Sequence, residues 1–165
     1  MLNQDGIPTE EDLQQVFPPE SRLVKGPVAI AECFQKIPCN PCSRACPQQA
    51  IRVFPDLNGT PIIDFDRCIG CGLCVIQCPG LAIFLVDMTD QKETALVQMP
   101  YEFLPLPRPG QNVLCLDRKG AECGYHPVRK VTGGKKNQTY LVSVEVPKEL
   151  AMKIRNIRVG GGSHA

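Results

Sequence analysis

Ten of the 165 residues are cysteines, and six of them lie in two arrays that repeat at a fixed distance. The arrays share the pattern Cys-x2-Cys-x3-Cys-Pro and comprise Cys39, Cys42, Cys46 and Pro47 in the first copy, and Cys71, Cys74, Cys78 and Pro79 in the second. Each matched pair is 32 residues apart, including the Ala-Ile that follows each array. A fixed offset of this kind indicates an internal duplication. Thiolates in such short loops are ligands for metal ions or for iron–sulfur clusters.

One more cysteine, Cys68, completes the second array as Cys-x2-Cys-x2-Cys-x3-Cys-Pro. Three thiolates must reach three corners of one iron–sulfur cube within a single tight loop, so the residues between them must be few. Gly70 and Gly72 lie between these cysteines, where a backbone N–H can approach sulfur only if no Cβ is in the way. Zinc sites also use Cys-x2-Cys pairs, but they require neither a third closely spaced cysteine nor a Cys-Pro. The array therefore favours [4Fe–4S] clusters over zinc, and over disulfides.

The first array lacks a cysteine at the corresponding place, which is occupied by Lys36. The nearest upstream cysteine is Cys33, three residues earlier, which gives Cys33-x5-Cys39. We predict that Cys33 is still a ligand and that residues 34–38 form a wider loop, shaped by Pro38 and Pro41. The alternative is that Cys33 is a bystander and that this site holds a three-ligand [3Fe–4S] centre.

The arrays resemble the bacterial 2[4Fe–4S] dicluster ferredoxin domain, most closely in the run Cys-Ile-Gly-Cys-Gly-Leu-Cys at residues 68–74. The resemblance covers residues 27–90 and implies an α+β, (βαβ)2 ferredoxin-like fold. It also implies crossed ligation, in which the cysteine before proline binds the cluster of the other array. Cluster 1 would then take Cys33, Cys39, Cys42 and Cys78. Cluster 2 would take Cys68, Cys71, Cys74 and Cys46.

The resemblance and local patterns together predict the secondary structure of this region. Strands are expected at Val28–Ala31, Arg52–Phe54, Ile62–Asp64 and Phe84–Asp87, with a short helix over Gly80–Phe84 after the second Cys-Pro. Residues 1–26 form an N-terminal arm. Its short helix should begin after Thr9, which is followed by acidic residues that suit a helix N-terminus.

The rest of the chain is predicted to form a separate module. Residues 91–110 form a Pro-rich connector. Residues 111–159 form a small β module, which we interpret as a docking or covering element. Its expected elements are strands at Gln111–Leu116, Pro127–Val131 and Tyr140–Val146 and a terminal helix at Leu150–Ile157. Residues 160–165 are expected to be a flexible tail.

Nothing in the sequence indicates a catalytic group. His126 and His164 have no recognisable nucleophile nearby, and the chain contains no G-x-G-x-x-G or phosphate-binding loop. Cys115 and Cys123 are expected to fill the core. The formal charge of +1 gives no reason to expect nucleic acid as a partner. No apolar run is long enough to predict membrane insertion, and the N-terminus lacks a secretory pattern, so we expect a cytoplasmic protein.

The predicted function is electron transfer through two [4Fe–4S] clusters, without catalysis by the chain itself. The whole chain also resembles, less specifically, the small iron–sulfur subunits of FAD-dependent dehydrogenases that oxidise proline, hydroxyproline, sarcosine or opines. That second resemblance implies an FAD-containing partner subunit and allows for a further iron–sulfur subunit. Two alternatives stay open: a free-standing soluble dicluster ferredoxin, and a redox or iron sensor.

Overall fold

The computed structural model describes residues 4–90, 92–134 and 139–160. These residues form four short helices: α1 (Glu10–Val16), α2 (Glu20–Leu23), α3 (Pro41–Ala45) and α4 (Leu73–Gln77). They also form nine strands: β1 (Val28–Ala31), β2 (Ile51–Phe54), β3 (Thr60–Ile63), β4 (Ile83–Asp87), β5 (Thr94–Tyr101), β6 (Asn112–Asp117), β7 (Glu122–Gly133), β8 (Tyr140–Pro147) and β9 (Ile154–Arg158). A 3-10 turn occupies Lys148–Leu150. The predicted tail, apart from Gly160, and His164 lie outside the described residues.

Seven strands form one antiparallel sheet in the order β1-β4-β5-β8-β7-β6-β9. The other two strands, β2 and β3, form a separate hairpin. Between β1 and β4 the chain runs strand, helix, strand twice, and each helix follows cysteines of one array. The fold is therefore mixed, with mostly strands and few helices.

The sheet curls, because residues of its first and last strands pack in one core. Val28 and Ile30 of β1 belong to the same buried cluster as Ile154 and Ile157 of β9. A second, smaller core lies against the other face of β1 and β4. It contains Ala29, Ala31, Ile83, Leu85, Val75 and Leu141 together with two array cysteines, Cys42 and Cys74. Successive side chains of a strand point to opposite faces, so β1 and β4 contribute to both cores and their residues are nearly all buried.

The N-terminal helix begins where the sequence predicts. The Thr9 side chain accepts a hydrogen bond from the Asp12 N–H, and the Asp12 carboxylate accepts one from the Thr9 N–H, which forms a capping box. The helix ends at Val16, and a second short turn, α2, follows the two prolines.

The predicted connector is wrong in its centre, where the structure has the strand β5. Its residues alternate between half-buried and buried, with Ala95, Val97, Met99 and Tyr101 facing the core. The sequence shows the same alternation of apolar residues, but Pro100 led to the prediction of a connector. Pro100 is accommodated at the penultimate position of the strand, opposite Leu141.

The predicted terminal helix is also wrong, because the segment is a 3-10 turn followed by β9. Ile154 and Ile157 are buried, and the strand pairs with β6 from Leu114 to Asp117. β-branched residues suit a pleated surface, and pairing with β6 outweighs any local helical preference. Nor are the C-terminal strands a separate module: β5 pairs with β4, so both parts of the chain share one sheet.

We expect replacement of Ile154 by alanine to lower the free energy of unfolding by about 2–5 kcal/mol, since its side chain is fully buried in the larger core. Urea denaturation of anaerobic protein measures the loss. A matched control in the same strand is Arg158→Ala, which removes an exposed side chain and should cost less than about 0.5 kcal/mol. Equal losses in both variants would contradict the assignment of β9.

Candidate iron–sulfur centres

Four cysteines drawn from both arrays line one cavity. Cys33 follows β1, Cys39 lies in the widened loop, Cys42 lies in α3, and Cys78 follows α4. Gly59 and Pro61 of the β2–β3 hairpin close the cavity from the side. The structure thus brings together the four residues predicted for cluster 1.

A second cavity is lined by the other four array cysteines. Cys46 follows α3, Cys68 and Cys71 lie in the loop before α4, and Cys74 lies in α4. Each cavity therefore receives three cysteines from one array and one from the other.

The widened loop brings Cys33 to the first cavity despite its extra length. Gln35 and Ile37 of this loop line the same cavity, so the added residues curve around it. The end of the loop is fixed to the β2–β3 hairpin, because the Cys39 N–H donates a hydrogen bond to the Leu57 carbonyl at 3.3 Å. The loop and the hairpin thus form one wall of the cavity.

Backbone N–H groups point at several of the cysteine sulfurs. The Ala50 N–H donates to Cys46 Sγ at 3.3 Å, and the Ala82 N–H donates to Cys78 Sγ at 3.5 Å. These two bonds occupy equivalent places in the two copies. A third bond joins the Ala29 N–H to Cys68 Sγ at 3.4 Å. Such donors stabilise thiolates and tune the potentials of iron–sulfur clusters.

The helix predicted over Gly80–Phe84 is wrong, because a tight turn follows each Cys-Pro instead. The Leu81 N–H bonds to the Cys78 carbonyl, and Leu81 has a φ of 52°. Gln49, its equivalent in the first copy, has a φ of 51°. This left-handed residue turns the chain so that the next alanine N–H faces the sulfur. The helices instead precede the Cys-Pro, and Cys42 and Cys74 lie within them.

Burial disfavours the free thiolates of three array cysteines, Cys33, Cys42 and Cys74. Desolvation raises the pKa of Cys42 to about 11 and that of Cys74 to about 12, and neighbouring cysteines add to both shifts. The pKa of Cys33 is also raised, mainly by burial. A bound metal reverses this preference, because a coordinating thiol is deprotonated outright. The donor set therefore fits positively charged iron atoms.

The cysteines fit a cluster better than a single ion. Within the described ranges, no three His, Cys, Asp or Glu side chains lie close enough to hold one metal ion. A cube requires less convergence, because each of its four thiolates binds a different iron atom.

Two glycines allow the second array to approach its surroundings. Gly70 has a φ of +65°, and a Cβ there would lie 2.5 Å from the Pro27 carbonyl oxygen. Gly72 has a φ of +82°, and a Cβ there would lie 2.8 Å from Leu141 Cδ2 in β8. The loop between Cys68 and Cys74 therefore packs directly on Pro27, just before β1, and on β8 of the sheet.

Gly70→Ala is expected to destabilise the protein by at least about 1–2 kcal/mol, the cost of a left-handed non-glycine residue, with the contact to Pro27 adding more. The loss of stability should appear as a lower midpoint of the denaturation curve that is followed by the cluster absorbance. Gly80→Ala is the matched control, because its Cβ would meet nothing within 4 Å. A tolerant Gly70→Ala would show that the loop does not approach Pro27 closely.

Known proteins identify the class to which these two sites belong. The family model of the 4Fe-4S dicluster domain matches residues 37–82. The chain thus carries a bacterial-type dicluster ferredoxin domain, which implies two [4Fe–4S] clusters and a role in electron transfer.

Three curated proteins are similar to part of this chain. An uncharacterized ferredoxin of Methanocaldococcus jannaschii is 44% identical over 54 residues, covering 33% of this chain and 34% of its own. The ferredoxin-type protein NapF of Haemophilus influenzae is 42% identical over 57 residues, covering 33% and 32%. The polyferredoxin-like subunit of an aliphatic sulfonate oxidoreductase of Pyrococcus furiosus is 42% identical over 48 residues, covering 29% and 27%.

This chain spans only about a third of the length of those curated relatives. No solved structure matches. Among the described residues, none of the helices has the length and apolar character needed to cross a membrane.

The remaining cysteines lie away from both cavities. Cys115 is fully buried in the larger core, and Cys123 is partly buried against it, as expected for core-filling residues. His126 lies in β7, where its Nε2 is 2.9 Å from the Cys123 carbonyl oxygen.

Several arginines beside the arrays were not foreseen from the sequence. Arg22 bonds to the backbone around Cys68, and Arg118 and Arg155 pair with Glu32 beside Cys33. Arg22 and Cys68 are 46 residues apart in the chain, and Glu32 is 86 residues from Arg118 and 123 from Arg155, so no local pattern signals these contacts.

Proposed function

We propose that the chain is the ferredoxin-like electron-transfer subunit of a flavin-dependent dehydrogenase complex. The observation that carries the proposal is the division of the eight array cysteines into two groups of four, each drawn from both copies. In this proposal Cys33, Cys39, Cys42 and Cys78 hold cluster 1, and Cys68, Cys71, Cys74 and Cys46 hold cluster 2. We also propose that the two repeated strand–helix–strand units are the (βαβ)2 arrangement of a bacterial ferredoxin, which the element order supports.

When bound, the clusters accept and release electrons one at a time. The protein's part is to hold and tune them. The thiolates fix their positions, the N–H groups of Ala29, Ala50 and Ala82 stabilise sulfur charge, and the smaller apolar core excludes water from one side. Cys71 is exposed, so cluster 2 lies near the surface there, where an electron can leave or enter.

Two observations support membership of a complex. One relative is by name a subunit of an oxidoreductase. The chain also exposes large apolar side chains, with Leu104 90% and Phe103 60% exposed, which contact with another subunit would cover. A flavin partner fits the chemistry, because a flavin collects two electrons and the clusters take them singly. We place the complex in the cytoplasm, where thiols stay reduced.

Anaerobic purification from native extract tests this function. We expect about eight iron atoms per chain and a stably bound flavoprotein. An iron count near seven would replace cluster 1 by a three-iron centre. A monomeric, iron-loaded chain without flavoprotein would favour the free-standing ferredoxin. Partner binding that changes with cluster oxidation state would favour the sensor.

A further inference from the structure

Arg22, at the end of the N-terminal arm, bonds to the backbone of the second array's first cysteine and of the segment just before it. Its Nε donates to the Phe65 carbonyl at 2.7 Å, and its Nη2 donates to the Cys68 carbonyl at 2.7 Å. The same guanidinium donates to the carbonyls of Gly26 at 3.0 Å and Pro27 at 3.1 Å. One side chain therefore ties two separate backbone segments together.

These two segments form part of the cradle of cluster 2. The Pro27 carbonyl is the group that Gly70 approaches so closely that a Cβ would not fit. Two residues later, the Ala29 N–H donates to Cys68 Sγ. A guanidinium presents its donors in a rigid planar fork, so it fixes the distance between these segments better than a flexible ammonium could. Arg22 thus sets both the position of Cys68 and the geometry of its N–H···S bond.

Among the described residues, no acidic side chain forms a salt bridge with Arg22 within 4 Å. All four of its acceptors among the described residues are neutral carbonyl oxygens. Beside the first array, by contrast, the arginines form ion pairs with a carboxylate. Glu32, which precedes Cys33, pairs with Arg155 at 2.7 Å and with Arg118 at 2.8 Å. A partly buried positive charge interacts strongly with a nearby negative group, because the local dielectric is lower than in water.

We propose that Arg22 is a positioning residue for Cys68 that also raises the reduction potential of cluster 2. Each electron added to the cluster makes it more negative, so a fixed positive charge beside it stabilises the reduced form. The proposal rests on the function proposed above and adds a specific role for the N-terminal arm: it sets the cluster 2 potential from outside the ferredoxin domain.

The test is a potentiometric titration of the complete anaerobic chain, followed by electron paramagnetic resonance, with iron counted in the same samples. In Arg22→Gln, we expect one of the two midpoint potentials to fall, and the other to stay. At a fixed potential near the midpoint, the oxidised-to-reduced ratio of that cluster should rise about tenfold, which corresponds to about 59 mV for one electron.

Two further variants separate charge from position. Arg22→Lys keeps the charge but loses the fork, so its midpoint should lie closer to that of the wild type while its thermal stability falls. Arg67→Gln is the control. It removes an exposed positive charge adjacent to Cys68 and leaves the hydrogen bonds of Arg22 in place. Its midpoints should change little, since exposed charges are screened.

The outcomes are distinct. Loss of about four iron atoms in Arg22→Gln, with Arg67→Gln fully loaded, would also support positioning of Cys68. Full iron and two unchanged midpoints in Arg22→Gln would overturn the proposal, as would equal shifts in Arg67→Gln. A wild-type chain without iron would refute the proposed function instead.

Discussion

Replacing Cys39 and Cys42 together by alanine is expected to lower the iron content from about eight to about four atoms per chain. Both thiols line the first cavity with Cys33 and Cys78. Removal of half of its ligands should leave cluster 1 unable to assemble. Cluster 2 keeps all four of its cysteines and should persist. Iron and acid-labile sulfide, measured on anaerobic protein, give the count.

A third substitution in this background tests the crossed arrangement. Adding Cys78→Ala should remove no further iron, because Cys78 lies at the cavity that is already empty of cluster. Adding Cys46→Ala should remove most of the rest, because Cys46 lies at the second cavity. Such non-additivity is the signature of residues that act as one unit. The reverse result would mean that each array binds its own cluster, and Cys115→Ala serves as the neutral control.

Removing the iron from the whole protein should unfold the array segment and spare most of the sheet. With a chelator under reducing conditions, amides of residues 33–82 are expected to lose nearly all protection from hydrogen exchange. This segment contains two helices of five residues and an isolated two-stranded hairpin, neither of which is stable alone. Its core also includes Cys42 and Cys74 themselves.

The strands β5 and β8 should stay protected in the same experiment. Val97, Met99, Val142 and Val144 are fully buried in the larger core, which contains no array cysteine among its buried members. The opening free energy of the array segment should therefore fall towards zero while that of these strands changes little. Unchanged protection of residues 33–82 would show that the cysteines do not hold clusters. Loss of protection in every strand would show that the sheet also depends on them.

The sequence was most informative where function constrains spacing. The arrays with Cys68 identified seven cysteines, and the resemblance grouped them as the cavities do. The sequence alone could not decide whether Cys33 is a ligand. Only the path of residues 34–38 in space determines whether that thiol reaches the others. Its place beside Cys39 depends on the β2–β3 hairpin, whose Leu57 carbonyl holds the end of the loop.

The sequence was least informative where pairing decides the structure. The segment containing Ile154 could form a helix or a strand by local preference, and β6 decides the outcome by pairing with it. The strand β5 was obscured by Pro100, although alternate residues are apolar. The local sequence assigns no role to Arg22. Its role arises only when the chain returns 46 residues later with Cys68.

The strand β4 contributes to both cores, and this limits where the chain can be truncated. One face of this strand contributes Phe84 and Val86 to the larger core, and the other contributes Ile83 and Leu85 to the core beside the clusters. A fragment that ended at the boundary of the resemblance, near residue 90, would leave the β4 edge without β5 and expose its apolar face. Such an edge is prone to pair with other chains and aggregate. The minimal redox unit of this protein is therefore larger than the ferredoxin motif that it contains.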